Sequence, residues 1–338
     1  MTDQSLNSQD LKTQETLANS LIVAPPPLCG LEHTVGNTPM LVLRRIVASL
    51  PNSVRVYAKA EWFNPGGSIK DRPAFNILRT ALANGNLVPG KRLLDSTSGN
   101  MGIAYTTFGA AMGVPVTLVI PANASAERIS ILRALGAELI LTDPLEGSDG
   151  AIRVARQMAA EQPDLYFHAN QYDNPANWHA HYYTTGPEII QQTAGQVTHL
   201  VAGLGTSGTL TGAGRYLREY LPGVQLVAVQ PSGPLHGLEG LKHMPTAIQP
   251  GIFDPAMPDR TIEVTTEEAH EMVRRMAREE GLFVGVSSGA AAVATLRLAS
   301  ELDKGVVVTI FPDAGYKYLS DKAIWQGPAE QNTEGEGI

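Results

Sequence analysis

Short apolar runs alternate along the chain with longer segments of helical period. Positions 54–60, 92–95, 116–120, 138–142, 199–204, 225–230 and 306–311 are rich in β-branched and other apolar residues and predict strands. Several are apolar throughout rather than at alternate positions, the pattern of a strand packed on both faces in a parallel sheet. Between them, 71–82, 102–112, 126–135, 151–160, 209–220, 266–280 and 288–302 predict helices. Strand and helix in regular succession predict a doubly wound α/β protein, and 338 residues are accounted for better by two such units than by one. The ends break the pattern. Residues 1–28 are polar apart from a short apolar patch at 21–24, and Pro25, Pro26 and Pro27 favour an extended linker, so the folded unit is expected to start near Leu31. Residues 326–338 are rich in Gly, Glu and Gln and read as a tail.

Composition narrows the classes. With 43% hydrophobic and 17% charged residues the chain has enough apolar material for a sizeable core, which excludes a wholly disordered protein. The net charge is −8 and no long basic run occurs, so a nucleic-acid backbone, bound through phosphate neutralisation, is not the expected partner. Small molecules or proteins are. The single cysteine, Cys29, allows neither an intrachain disulfide nor a thiolate metal cluster, and it falls in the linker with no argument for reactivity. The start lacks the basic and apolar regions of a secretory signal, and no apolar segment approaches the ~20 residues of a membrane span. The expectation is a soluble, cytoplasmic protein without membrane contact.

Ligands of open α/β sheets bind where strands turn into helices, so those junctions carry the candidate chemistry. The first reads Asn64-Pro65-Gly66-Gly67-Ser68-Ile69-Lys70-Asp71-Arg72. Its glycines and serine can cap a helix, but Lys70 would then meet the positive end of the helix dipole at a cost of ~0.3–1 kcal/mol. The P-loop pattern fails, because Lys70 lies between Ile69 and Asp71. What remains is an amine with a pKa lowered by its surroundings, suited to Schiff-base and general-base chemistry. The second junction, Ser96-Thr97-Ser98-Gly99-Asn100-Met101-Gly102, offers hydroxyls and backbone amides to a carboxylate, or is an ordinary N-cap loop. The third, Gly203 to Gly212, places small residues and hydroxyls at a helix start, an anion site suited to phosphate. Gly203, Gly205 and Gly208 also satisfy the dinucleotide fingerprint, yet the next strand ends in Gln230 and Pro231 without the required acid. At the fourth, Gly285-Val286-Ser287-Ser288-Gly289, a serine can cap the following Ala-rich helix. His179 and His181 lack a supporting cluster for a metal site, and a structural role is expected of them.

Taken in order, these segments resemble the cysteine synthase family of fold type II pyridoxal-phosphate enzymes, the cysteine synthase B or M type in particular. The resemblance runs from about Leu31 to about Lys322 and includes 35–39 (VGNTP), 171–177 (QYDNPAN), 185–188 (TGPE) and 312–320 (PDAGYKYLS). It implies two α/β domains with the cofactor between them: a larger one of 42–63 and 175–325, a smaller, mobile one of 64–174, an extension over 1–30 and a tail over 326–338. It also implies pyridoxal 5'-phosphate held on Lys70 as an internal aldimine. Asn100 would then meet the cofactor's ring oxygen, Gly205, Thr206, Ser207, Gly208 and Thr209 its phosphate, and Ser287 its pyridine nitrogen. Thr97, Ser98, Gly99, Met101 and Gln171 match positions around the substrate carboxylate. Met101 departs from the family's threonine there. Lys242 falls where the B or M type carries an arginine near the site mouth; it would favour an anionic substrate, unless it is a solvated surface residue.

The activity so implied is β-replacement on O-acetylserine or O-phosphoserine by sulfide, thiosulfate or carrier-bound sulfur, through an α-aminoacrylate, to L-cysteine or S-sulfocysteine. A homodimer, and a sulfur-carrier protein as partner, follow from the same resemblance. An amine nucleophile, as in diaminopropionate-type synthases, or a cystathionine β-synthase-like reaction are alternatives within this chemistry. An NAD-dependent oxidoreductase on Gly203, Gly205 and Gly208 is the alternative outside it, and a protein that keeps the fold without turnover is a third. No bound metal is expected.

Overall fold

Strand β10 (Gly305–Phe311) explains why the apolar runs are continuous. Its Val307 and Phe311 enter one cluster with Val201, Val227 and Val229, while Val308 and Ile310 enter another with Leu200, Ala202, Leu226 and Ala228. Successive side chains face opposite sides of a sheet, and here both sides are packed, so no position in the run is left for a polar residue to face water. Each buried Val or Leu contributes ~1.5–3 kcal/mol relative to exposure, which makes these strands the most strongly specified part of the chain.

The structure, a computed structural model, describes residues 30–97 and 99–325. The extension through Cys29, Ser98 and the tail 326–338 lie outside the described residues. In chain order the other strands are β1 (Met40–Val42), β2 (Val54–Ala60), β3 (Arg92–Ser96), β4 (Val116–Pro121), β5 (Glu138–Thr142), β6 (Tyr166–His168), β7 (His199–Gly203), β8 (Gln225–Pro231) and β9 (Arg260–Val264). They form a six-stranded sheet in the order β1-β2-β10-β7-β8-β9 and a four-stranded sheet in the order β5-β4-β3-β6. All pairings are parallel except β1 with β2, an antiparallel edge in which Met40 faces Lys59. The smaller sheet repeats the logic of the larger: Leu118 and Ile120 of β4 pack on one face, Val119 on the other.

The helices are α1 (Asp71–Ala83), α2 (Asn100–Met112), α3 (Ala126–Ala134), α4 (Gly147–Glu161), α5 (Pro175–Tyr183), α6 (Thr185–Gln192), α7 (Gly208–Tyr220), α8 (Thr266–Arg275), α9 (Val286–Ala299) and α10 (Lys322–Trp325). The fold class expected from the sequence, a two-sheet α/β protein, is the one observed. Single elements differ. The helix expected over 266–280 is α8 followed by a π turn, Met276–Glu280, whose Glu280 accepts the backbone amides of Arg44, Arg45 and Ile46. Strands β1, β6 and β9 and helices α5 and α6 carry no clear sequence signal. β1 and β6 are three residues long, and β9 is an edge strand with alternate exposure. α5 buries Asn177 and His181 beside Ala176 and Ala180, so its inner face does not read as apolar.

At the start of α1 lies a buried ionic cluster. Arg72, two residues after Lys70 in the first turn of α1, donates from Nε to Glu61 Oε2 at 2.7 Å, from Nη1 to Glu188 Oε1 at 2.7 Å and from Nη2 to Glu188 Oε2 at 2.8 Å. Lys59 Nζ meets Glu188 Oε2 at 2.7 Å and donates to Thr38 Oγ1 at 2.7 Å. The segments 35–39 and 185–188, noted in the sequence without a role, supply Thr38 and Glu188. Burial alone would raise the Glu188 carboxyl, but the hydrogen bonds and charge of Arg72, with Lys59, hold it at about 2. Two cations and two anions neutralise one another, and their hydrogen bonds offset the desolvation of each. Arg72→Met leaves Glu61 and Glu188 buried without their guanidinium; a loss of ~3–5 kcal/mol in urea-denaturation free energy is expected, against under ~1 kcal/mol for an exposed pair.

Candidate active site

The carboxyl ends of β3, β4, β7 and β10 converge on one cavity of about 370 Å³. Lys70, Thr97, Asn100, Met101, Gln171, Lys242, Ser287 and the whole loop 205–209 line it. Gly99 stands just behind, as the N-cap of α2 with φ +148°.

Lys70 occupies the N-cap position of α1 with helical backbone angles, so neither the glycines nor Ser68 cap that helix; Ser68 Oγ instead accepts the Lys70 amide at 3.2 Å. The Lys70 amine makes no hydrogen bond or ion pair with any described residue. Desolvation holds it below the ordinary lysine range, and the Asp313 carboxylate pulls the other way. An amine whose pKa is lowered by burial and which has no partner is suited to act as nucleophile and base.

The loop after β3 is fixed from beneath by Asp95, a fully buried carboxylate. Its Oδ1 accepts the Ser96 amide at 2.8 Å; Oδ2 accepts the Tyr105 hydroxyl at 2.9 Å and the Gln171 amide at 3.1 Å. Burial pushes the Asp95 carboxyl up to about 7, against the pull of these donors. Gln171 Nε2 donates to the Ser96 carbonyl at 2.7 Å, which ties this residue to the loop. Thr97 Oγ1 accepts the amides of Gly99 at 2.9 Å and Gly102 at 3.1 Å, so it caps α2 and lines the cavity at once. Met101 is buried against the cavity.

Across the cavity, loop 205–209 leads into α7, whose first-turn amides have no intrahelical acceptors. Ser207 is held at φ +68°, a left-handed conformation that a serine adopts only under constraint. A Cβ on Gly205 would lie 2.3 Å from the Gly240 carbonyl oxygen, and one on Gly208 would lie 2.0 Å from Asn177 Oδ1, so both positions admit only glycine. Asn177 Nδ2 bridges Thr206 Oγ1 at 3.1 Å and the Gln171 carbonyl at 2.7 Å. Thr209 Oγ1 lies 3.4 Å from His181 Nε2, and His181 Nδ1 lies 3.0 Å from Thr185 Oγ1.

The remaining candidates differ from the simplest expectations. Gly285, not a serine, is the N-cap of α9, and Ser287 sits inside the first turn facing the cavity. Lys242 is not a solvated surface residue: it is 6% exposed, pairs with Asp149 Oδ1 at 2.7 Å and lies over the Tyr172 ring at 5.1 Å. Asn100 Nδ2 donates to Asp313 Oδ2 at 2.7 Å, and its Oδ1 accepts from Lys317 Nζ at 2.8 Å. No group of acidic, His or Cys side chains suited to a metal ion occurs among the described residues.

Comparison with known proteins decides the family. The family described as "Pyridoxal-phosphate dependent enzyme" matches residues 31–313. The chain belongs to it. A curated cysteine synthase of Aquifex aeolicus is 52% identical over 291 residues, covering 85% of this chain and 89% of that protein. Cysteine synthase B of Escherichia coli is 40% identical over 308 residues, 91% of this chain and 99% of the other. The crystal structure of cysteine synthase from Entamoeba histolytica superposes with a TM-score of 0.84 at 36% identity, covering 93% of this chain and 97% of that one. The resemblance read from the motifs, the fold type II architecture and the pyridoxal-phosphate cofactor are therefore those of the family.

The cavity suits that cofactor on its own chemistry. An aldehyde needs an unpaired amine, present at Lys70, and a phosphate needs a helix start rich in small residues and hydroxyls, present in the cavity-lining loop 205–209. The volume lies in the ~300–1,000 Å³ range of small-molecule sites. Sequence reasoning missed Asp95, Asn177, Asp313 and Lys317. Asn177, Asp313 and Lys317 stand inside quoted motifs, so position is their only signal; Asp95 shows only as a charge at the end of an apolar strand.

His181 is 2% exposed, and burial pushes its imidazole down to about 3, with the Arg72 charge adding to the effect. A folded pKa below the unfolded value of ~6.5 means that acid protonates the unfolded chain first, so this group's contribution to stability is lost as pH falls below that value. His181→Gln is therefore expected to gain stability relative to the parent by ~1.4 kcal/mol per pH unit between pH 6 and 4, read from urea melts at each pH.

Proposed function

We propose that the protein catalyses β-replacement on an activated L-serine, O-acetylserine or O-phosphoserine, with a sulfur nucleophile, giving L-cysteine or S-sulfocysteine. The observation that carries this reading is the desolvated, unpartnered amine of Lys70 in the same cavity as the anion-binding loop 205–209. Pyridoxal phosphate bound there supplies an electron sink in conjugation with the substrate's α-carbon. Lys70 would hold the cofactor through its aldehyde, and its amine would serve as the base for the α-proton. The α7 amides, with the hydroxyls of Thr206, Ser207 and Thr209, hold the phosphate. Asn100 donates to the ring oxygen. Ser287 offers the pyridine nitrogen a neutral hydroxyl rather than a carboxylate, which weakens the sink and favours elimination and replacement at Cβ over transamination.

Thr97, Ser98 and Gln171, with the backbone from Gly99 to Met101, would bind the substrate carboxylate. Thr97 Oγ1 is already an acceptor for two amides, so its own hydrogen is what it has to give. Met101 brings no hydroxyl and contributes only its amide. Lys242, competing with Asp149, meets an anionic leaving group or sulfur donor. In the same reading 64–174 is the smaller domain, closing on the body formed by 42–63 and 175–325, and the protein is a cytoplasmic homodimer fed by free or carrier-bound sulfur. Two features fit it: no described helix is long and apolar enough to cross a membrane, and the exposed Tyr183 and Tyr220 offer an aromatic face to a second copy.

Borohydride reduction of the yellow protein should fix the cofactor on the peptide containing Lys70, seen by mass spectrometry. Lys70→Ala should lose at least ~10²–10⁴ in turnover. An unlabelled Lys70 with pigment elsewhere or absent would end this reading. Turnover of both serine esters with sulfide and with thiosulfate identifies the substrates. Lys242→Gln is expected to lower kcat/KM about ten- to hundred-fold for O-phosphoserine, and less than about three-fold for O-acetylserine.

A further inference from the structure

Lys317 stands on the 3-10 turn Gly315–Tyr318 after β10, and nothing in the reaction so far uses it. Its Nζ donates to Asn100 Oδ1 at 2.8 Å and to the carbonyls of Gly66 and Gly67 at 3.2 Å each. Three acceptors call for three hydrogens, so this is an ammonium rather than a neutral amine. On the other side of Asn100, Asp313 Oδ2 accepts from Asn100 Nδ2 at 2.7 Å and from the Tyr318 hydroxyl at 2.8 Å.

A primary amide has nearly the same shape in its two flips, and only its partners tell them apart. An ammonium can only donate and an ionised carboxylate can only accept. Turned over, Asn100 would set Nδ2 against Lys317 Nζ and Oδ1 against Asp313, losing two charge-assisted hydrogen bonds and gaining two like-signed contacts. The Lys317–Asn100–Asp313 chain therefore admits one orientation. Nδ2 carries two hydrogens and Asp313 engages one, so one N–H remains for the cavity that Asn100 lines. Lys317 also ties that amide to Gly66 and Gly67, the turn that delivers Lys70.

We infer that Lys317 is a positioning residue of the cofactor site: it locks the Asn100 amide so that an N–H, not a carbonyl, is presented to the cofactor. The inference rests on the reading that pyridoxal phosphate binds at Lys70. Asn100 is the contact; Lys317 acts through it.

The test is a double-mutant cycle on the full chain, read as the dissociation constant for pyridoxal phosphate added to cofactor-stripped protein and followed by visible absorbance. Lys317→Met and Asn100→Ala should each weaken binding about ten-fold, and Lys317→Arg, which keeps charge and donors, should stay within about three-fold of the parent. In the Asn100→Ala background, Lys317→Met should add no more than about two-fold, because the amide it holds is gone. A general structural role would instead multiply the two effects; that result, or tight binding by Lys317→Met, overturns the inference. Lys317→Gln replaces the methionine variant in the cycle if the latter fails to fold. A parent that takes up no cofactor defeats the proposed function as well, and shows itself before any variant is compared.

Discussion

The site depends on a charge balance struck where no water can help. Arg72 reaches two carboxylates from the first turn of the helix that begins at Lys70, and Lys59 neutralises what remains. Glu61 follows β2, Glu188 belongs to α6 and Thr38 precedes β1, so the guanidinium gathers segments far apart in sequence around one helix start. Buried ion pairs rarely add much net stability over well-packed apolar groups. What this one supplies is geometry: the forked guanidinium satisfies both carboxylates in only one arrangement, and that arrangement fixes where α1 begins and hence where the Lys70 amine emerges.

The same device recurs at smaller scale around the cavity. Several residues around it are held from behind by buried polar groups. Asp95 accepts from Ser96, Tyr105 and Gln171 and so gathers three segments. Asn177 joins the carbonyl of Gln171 to Thr206, so the loops on the two sides of the cavity are coupled through one side chain. Asp313 and Lys317 do the same for Asn100. The strands set the frame through packing, which tolerates exchange among apolar residues; the polar groups behind the loops set angles, and those tolerate little.

This division also explains what could be read from the sequence. β4 and β10 were legible because both faces are packed and every position says so. β9, half exposed at the sheet edge, and α5, which buries Asn177 and His181, break the periodicities on which such readings rest. Lys70 stood out because a cation at a helix start is a local contradiction. The loop 205–209 stood out because small residues and hydroxyls concentrate there. Arg72, Lys317 and Asp149 raise no local conflict. Their meaning lies in partners that are far away in sequence, 116 residues from Arg72 to Glu188 and 93 from Asp149 to Lys242, and only the fold brings them together.

In the proposed function, where Lys242 meets the anionic substrate, its pairing with Asp149 bears on selectivity. The cation is almost wholly buried, while the Asp149 side chain is 27% exposed and has a second donor in the Ile248 amide at 2.9 Å. An anion entering the cavity therefore competes with a carboxylate that can turn toward water and keep a hydrogen bond, while Lys242 cannot follow it out. The exchange costs little for a phosphate or thiosulfate, which replaces one charged partner with another, and much for a neutral ester, which would leave a buried ammonium unpaired. A neutral substrate thus leaves the ion pair closed, and an anionic one opens it. In the function proposed above, selectivity at this mouth would follow from which charge Lys242 faces, without any change in the pocket's shape.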